Sequence, residues 1–450
     1  MQIADLPSGN ANLSLHTGFD TQKGPIMEKT MCELFAGVGG FRLGLDRLNS
    51  GWKTTWFSQW EPGKKKQWAH ACYLKHYGDS PDLKGESHTC EDIATVIKED
   101  IPDHTLLVGG FPCQDYSVAH SLSSAKGIEG KKGVLWWQIR DTIIAKKPPF
   151  VLLENVDRLL KSPASQRGRD FGMILTCLTQ LGYDTEWRVV NAADYGASQR
   201  RRRTFIFAYS RDTVYAETVK NIGTADIILK DGFMAKSFPV VQEKLKINTI
   251  VVPLEDTFSE SKEDQLLAIS ERFIFPFEIS GYVKDGVIST CTVTPDGEEP
   301  ILLGDILQKS DDEGLYIVTD RLKKWIEAKG SKRIPRKSAN GHEYIFSEGP
   351  VAFPDPWNRP GRTMLTSEST LNRSTHVVSD PGTGMPRILT PIEAERLQGF
   401  DDDWTKYCLM DGEDISMPAR MRYFCMGNAL VVPMITRMGK VLDAIIAFEK

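Results

Sequence analysis

Four short stretches of the chain carry residue types that could do chemistry. In LLVGGFPCQDYS (106–117) an apolar strand breaks on Gly109-Gly110, turns at Pro112 and leaves the thiol of Cys113 in a polar loop. A free thiol with a pKa near 8.5 is only a few per cent thiolate at pH 7, yet it is intrinsically nucleophilic. The same residue type serves equally as a small buried hydrophobe. In VLLENV, Glu154 ends another apolar run. It is either a surface turn residue or a carboxyl that burial pushes toward its acid form. QRRRRTFIF (199–207) sets four arginines before an apolar strand. This is a basic turn, unless strand alternation sends Arg201 and Arg203 to one side and Arg200 and Arg202 to the other. ELFAGVGG ends a strand in Phe35, Ala36, Gly37, Val38, Gly39 and Gly40 and opens a helix. Such a turn lets the backbone approach a nucleotide-like ligand, or is simply tight. No Lys-Ser/Thr pair follows the glycines, which argues against an ATP or GTP loop.

The elements around these stretches follow one rhythm between 30 and 210. Short apolar runs (MCELFAG, TTWFSQW, TLLVGG, FVLLENV, EWRVVNA, TFIFAYS) alternate with helical patterns such as FRLGLDRLN and VLWWQIRDTIIAKK. That alternation predicts an α/β fold with a doubly wound, mostly parallel sheet, whose ligands sit at the carboxyl ends of the strands. The glycine loop, Cys113 and Glu154 all fall at such ends. Adjacent parallel strands would bring Glu154 and Cys113 into one pocket. From about 212 the texture becomes irregular and β-rich. TPIEAERLQGF then offers Thr390 as a helix N-cap with Pro391 and Glu393 in the first turn. The expected division is a loose tail over 1–27, a catalytic domain over 28–211 completed by a helix over 420–450, and a second, smaller domain over 212–419.

Composition narrows the class. The chain has 450 residues, 41% apolar and 26% charged, with a net charge of −5. Eight cysteines show no CxxC pair and no grouping with the eight histidines, so neither a zinc site nor a disulfide framework is expected. No signal peptide or run of 18 apolar residues is present in the sequence. A cytoplasmic, monomeric protein without membrane or metal is the expectation. The basic runs at 64–66, 131–132, 200–203 and 329–337 are either solvated faces or phosphate contacts.

Read in order, ELFAGVGGFRLGL, EDIATV, GGFPCQDYS, LLENVDRLL, QRRRRTFIF, RILTPIEAERLQGF and GNALVVPMI resemble the ordered blocks of the DNA (cytosine-5) methyltransferase family. The resemblance covers roughly 30–210 and 387–440. The stretch between lies where that family keeps its variable target-recognition region. It implies S-adenosylmethionine as cofactor, double-stranded DNA as partner, and a restriction-modification setting. Cys113 would add to C6 of a flipped cytosine, Glu154 would hold N3 and the exocyclic amine, and Arg203 would bind O2 with Arg201 and Gln199 in support. An unperturbed Glu is protonated about once in 500 at pH 7, so the acid form needs roughly 3–4 kcal/mol of environmental help. The cofactor would lie on Phe35, Ala36, Gly37, Gly39 and Gly40. Asp92 and Ile93 would face its adenine, and Pro112, Leu135 and Asn428 would complete the wall. Where the family has an acidic residue for the ribose, SQWEP has Gln59 with Trp60 beside it, so either Gln59 binds the ribose more weakly or Glu61 shifts in. The loop after Cys113, with Ser117, Lys131 and Lys132, would close over phosphates, and Arg359, Arg362 and Arg373 are candidates for DNA contact. Two alternatives remain: an RNA cytosine-C5 methyltransferase, and a non-catalytic DNA-binding subunit of the same fold.

Overall fold

The computed structural model describes residues 27–111, 135–163, 165–241, 245–251, 273–317, 319–337 and 341–449. Its centre is a nine-stranded sheet. β1 (Thr30–Leu34), β2 (Lys53–Ser58), β3 (Leu106–Gly110) and β4 (Phe150–Val156) run parallel in the order β2-β1-β3-β4. β5 (Tyr183–Asn191) and β6 (Arg202–Ser210) follow with exchanged places, so β6 lies antiparallel between β4 and β5. The chain winds outward from β1 to β2 and then crosses back to β3. The switch point, where such sheets open a crevice, is therefore between β1 and β3.

Strand alternation sorts the apolar side chains onto two faces. Met31, Leu106, Val108, Phe150, Leu152, Phe205 and Phe207 enter one core. Cys32, Leu34, Leu107, Val151, Leu153, Ile206 and Ala208 enter the other. The first face is covered by α1 (Gly40–Asp46) and by helices from the far end of the chain. The second is covered by α3 (Leu135–Lys146) and α4 (Arg169–Gln180), with α2 (Trp68–Tyr77) following β2 in the chain.

The sheet does not stop near 211. β8 (Asn248–Val251), β9 (Ser280–Lys284) and β10 (Val287–Cys291) extend it, because β9 pairs antiparallel with Thr185–Arg188 of β5. An otherwise bare edge strand is thereby covered. The stretch expected to open the second domain thus begins as part of the first. The remaining strands before Pro391 are short and paired in twos. β7 (Val240–Val241) joins β11 (Thr294–Pro295), β12 (Lys332–Lys337) joins β13 (Glu343–Glu348), and β14 (Val377–Ser379) joins β15 (Pro386–Ile388). α5 (Thr319–Lys329) precedes the β12–β13 hairpin.

The chain then returns to the first domain. α6 (Pro391–Gln398) starts on the expected cap: Thr390 Oγ1 accepts from the Glu393 amide (3.1 Å), and Glu393 accepts from the Thr390 amide (2.8 Å). β16 (Tyr407–Met410) and β17 (Glu413–Ser416) form a hairpin against α2, followed by α7 (Ala419–Asn428) and α8 (Val432–Ile446). α8 packs on α1 so closely that a Cβ at Gly44 would fall 2.5 Å from Ile435. Among the described residues, no helix is long and apolar enough to cross a membrane.

Candidate active site

Counting by twos along the strands carries the first core face past its apolar residues and into the cleft. Phe150 and Leu152 lead to Glu154, Leu106 and Val108 to Gly110, and Phe207 and Phe205 to Arg203. Gly110 is the register partner of Glu154, and Arg203 is the partner of Val156. The outcome is an ion pair: Arg203 Nε lies 2.6 Å from Glu154 Oε1, with both side chains largely shielded from solvent. Of the two readings open for Glu154, a surface turn residue or a shielded carboxyl, the structure shows a shielded carboxyl with a guanidinium beside it. Arg203 Nη1 also donates to the Arg202 carbonyl (2.8 Å), which helps fix the fork. A Cβ at Gly110 would lie 3.2 Å from Glu154 Oε2, so the glycine leaves room for the second carboxylate oxygen. Beside Glu154, Asn155 Nδ2 donates to the Phe111 carbonyl (2.9 Å) and ties the ends of β3 and β4 together.

Arg201 points the same way but is fully enclosed. Its Nη1 donates to the Met364 carbonyl (2.9 Å) and its Nη2 to the Gly427 carbonyl (3.0 Å). Burial, with the like charge of Arg203 next, holds its pKa well below the usual arginine range, while Glu154 opposes that shift. Gln199 is equally buried. Its Oε1 accepts from the Met364 amide (2.9 Å) and its Nε2 donates to the Leu397 carbonyl (3.1 Å). Arg200 and Arg202 face outward, and Arg202 pairs with Asp157 at 3.0 Å.

Pro112, Cys113, Ser117, Lys131 and Lys132 lie outside the described residues. Phe111, the last described residue of that run, is buried one position beyond β3 and next to Pro112 in the chain.

The glycine loop opens at the switch point. Phe35, Gly37 and Gly39 have φ of +56°, +59° and +86°. A side chain at Gly37 would meet only open space, whereas one at Gly39 would strike Tyr77 at 2.8 Å. The backbone is thus bare toward the cleft and packed behind. Ala36 donates its amide to Ser58 O (2.9 Å), and Gly40 begins α1. Gln59 is buried, and its Oε1 accepts from the Gly37 amide at 2.7 Å. It therefore braces the loop. Trp60 is exposed. The Glu61 amide donates to Gln67 Oε1 (2.7 Å), and its carboxylate Oε2 is buried with no hydrogen-bond partner among the described residues. Burial raises its pKa, against the pull of Lys64.

Other expected cofactor contacts divide. Asp92 is half-buried and accepts from the Ala94 amide (3.0 Å), capping its own turn. Ile93 is buried in the second core, with its carbonyl accepting from Lys98. Leu135 is half-buried at the start of α3, and Asn428 is exposed at the end of α7.

Of the three arginines considered for DNA, two are engaged within the protein. Arg362 makes paired bonds to Asp355 (2.6 and 3.0 Å) and reaches the Ser374 and Thr375 carbonyls. Arg373 binds the carbonyls of Lys329, Gly330 and Gly349 and lies 3.5 Å from Glu348. Their donors are committed to loop architecture, so neither is carried forward as a DNA contact. Arg359 is exposed.

Sequence reasoning missed Glu33. It lies on the same face as Glu154, fully buried beneath the glycine loop. Its oxygens accept from the Phe41 amide (3.3 Å) and the Tyr73 hydroxyl (3.2 Å). Burial pushes its pKa up to about 8, against those hydrogen bonds and Arg42. An acid inside the apolar run MCELF was the available signal.

The family model described as C-5 cytosine-specific DNA methylase matches residues 29–444. The chain is 47% identical over 418 residues to the type II methyltransferase M.Sau3AI of Staphylococcus aureus, covering 92% of this chain and 95% of that one. It is 27% identical over 411 residues to M.SsoII of Shigella sonnei, covering 91% and 79%. Among solved structures, the S. pombe Dnmt2 methyltransferase superposes with a TM-score of 0.53 at 14% identity, covering 93% and 99%, which speaks to the fold alone. With the family's pattern matched across nearly its whole length, this chain belongs to the C-5 cytosine-specific DNA methylases.

Proposed function

We propose that the Glu154–Arg203 pair grips a cytosine flipped out of double-stranded DNA while Cys113 adds to it. C5 of cytosine is too electron-poor to attack a methyl sulfonium unaided. A bond from the thiolate sulfur to C6 pushes the ring electrons toward N3 and C5, giving an enamine whose C5 is nucleophilic. Glu154 meets N3 and the exocyclic amine and shares a proton as charge builds there. Arg203 holds O2 and, through its bond to Glu154, fixes the carboxylate's direction. C5 then gains the methyl group, loses its proton, and the C6–S bond breaks to release 5-methylcytosine and the thiolate. A stacked base is out of the thiol's reach, so flipping precedes all of this.

The residues at the switch point fit S-adenosylmethionine, which when bound supplies an electrophilic methyl. The bare turn at Gly37 gives close approach, and the unpartnered Glu61 carboxylate oxygen is an acceptor suited to a ribose hydroxyl. Gln59 holds the loop through the Gly37 amide. Asp92, Trp60, Leu135 and Asn428 remain parts of the wall. A partner restriction enzyme, a monomeric state and a cytoplasmic location belong to the same reading.

The observation carrying this proposal is the 2.6 Å Glu154–Arg203 contact, on the strand beside the one that leads to Cys113. A duplex containing 5-fluorocytosine tests it, because fluorine at C5 blocks the final elimination. The expected result is a covalent complex that Cys113→Ser does not form, although that variant still binds cofactor. Transfer of label to a transfer-RNA pool but not to a duplex would overturn the choice of substrate.

A further inference from the structure

We infer that the β12–β13 hairpin is the element that enters the major groove, with Arg333 reading a guanine edge. The reading rests on the DNA substrate above and goes further, to the side chain and the base.

The two strands pair over six residues each and, among the described residues, join no larger sheet. An isolated hairpin of this kind is marginal in water unless something holds it. Its root is held. Arg373 ties the carbonyls of Lys329, Gly330 and Gly349 together, and the buried Lys329 ammonium donates to the Thr375 carbonyl. The segment carrying Arg373 is itself fastened near its start. Met364 is gripped by Gln199 and Arg201, and Thr363 Oγ1 donates to the Arg200 carbonyl (2.6 Å). The hairpin is therefore anchored, through one short segment, to the strand that delivers Arg203.

Register then separates its two faces. Lys332, Ile334 and Arg336 lie across from Glu348, Phe346 and Tyr344. This face is partly closed, since Arg336 stacks over the Phe346 ring at 3.9 Å and Glu348 meets Arg373. The other face carries Arg333, Pro335 and Lys337 opposite Ser347, Ile345 and Glu343, and all six are exposed. Lys337 and Glu343 pair with each other at 3.7 Å. Among the described residues, no hydrogen bond or ion pair engages the Arg333 guanidinium. Ile345, 60% exposed, stands one residue pair away.

Charge selects the occupant. Residues 319–348 hold eight Lys and Arg against four Asp and Glu, in a chain whose net charge is −5. Arg321, Lys323 and Lys324 add exposed positive charge on α5, before the hairpin. A two-stranded ribbon, about 5 Å between strands, fits a major groove about 12 Å wide. A planar guanidinium presented there matches guanine O6 and N7 together, and an aliphatic side chain beside it suits a thymine methyl.

The test uses the full-length protein on a randomised duplex library, read by bisulfite sequencing, with kcat/KM measured on the recovered target. Arg333→Ala should accept other bases at one G·C position and lose about 5- to 150-fold in kcat/KM on the wild-type target. Arg333→Lys keeps the charge but not the fork, so it should relax the same position with a smaller loss of DNA affinity. Lys220→Ala, on an exposed site away from the hairpin, should leave the target unchanged. An unaltered target and rate in both Arg333 variants would overturn the inference, as would a loss that is uniform over all sequences. Should the wild-type protein methylate no duplex at all, the substrate assignment itself would fall too, and the two failures are thus distinguished.

Discussion

Glu154 and Arg203 sit on neighbouring antiparallel strands, and their side chains leave the same sheet face to meet at 2.6 Å. Neither side chain is fully buried, so a ligand can reach the pair from the cleft. In the proposed mechanism the base meets a carboxylate already oriented by its cation. Glu154→Gln keeps the size and removes the proton-sharing oxygen. We expect kcat to fall about 10²- to 10⁴-fold with cofactor affinity unchanged, measured by single-turnover methylation. Arg203→Ala should cost at least as much, because it also frees the carboxylate to rotate.

Gly110 makes a sharper probe of the same geometry. An added methyl would stand 3.2 Å from Glu154 Oε2, tight enough to shift the carboxylate by a few tenths of an ångström. Gly110 needs no left-handed backbone, so Gly110→Ala should fold normally. Its Tm should move by only a few degrees while its turnover drops tenfold or more. Unchanged turnover would mean that the position of that oxygen is not critical.

Glu61 and Gln59 should separate in cofactor titration. Glu61→Gln removes the charge from the unpartnered oxygen and should weaken S-adenosylmethionine binding by about 5- to 20-fold, seen by calorimetry. Gln59→Ala leaves the Gly37 amide without its acceptor, so it should lower both cofactor affinity and thermal stability. Equal cofactor affinity in wild type and Glu61→Gln would return the ribose to Gln59.

Glu33 should make stability depend on pH. Its folded pKa of about 8 lies above the ordinary value of 4.5, so the folded state holds a proton that the unfolded chain releases. Stability from this group is complete below about pH 4.5 and is lost progressively as pH rises to 8, by at most about 5 kcal/mol. Glu33→Gln, which carries no titrating proton, should flatten the fall in Tm between pH 5 and pH 8. A parallel fall in the variant would assign the dependence to other groups.

How much of this was legible in the sequence depended on the range of the forces involved. The strand-end position of Glu154, the shared side of Arg201 and Arg203 and the turn at 35–40 could be read because strand alternation and glycine geometry are local rules, whereas their roles came from the family resemblance. Gln199 and Arg201 were expected as supports, but their partners Met364 and Gly427 come from far along the chain. The extension of the sheet by β8–β10 was not legible, since INTIVV is short and its pairing with β5 is settled by an edge that needs cover. Arg362 and Arg373 could be named only as candidates for DNA contact, because an arginine in a polar stretch looks the same whether it faces phosphate or a carbonyl. What distinguishes them is Asp355 and the hairpin root, which only tertiary structure supplies. Glu33 was hidden in the opposite way, as a single acid among apolar neighbours.

The closing helix α8 lies against Gly44, and Trp52 Nε1 and the Lys29 ammonium both reach Asp443 at 3.0 and 2.7 Å. During synthesis Asp443 leaves the ribosome 391 residues after Trp52. The nascent chain therefore has the residues proposed as nucleophile and base grip long before α1 meets its backing helix. Products that stop before α8 should therefore be inert rather than partly active.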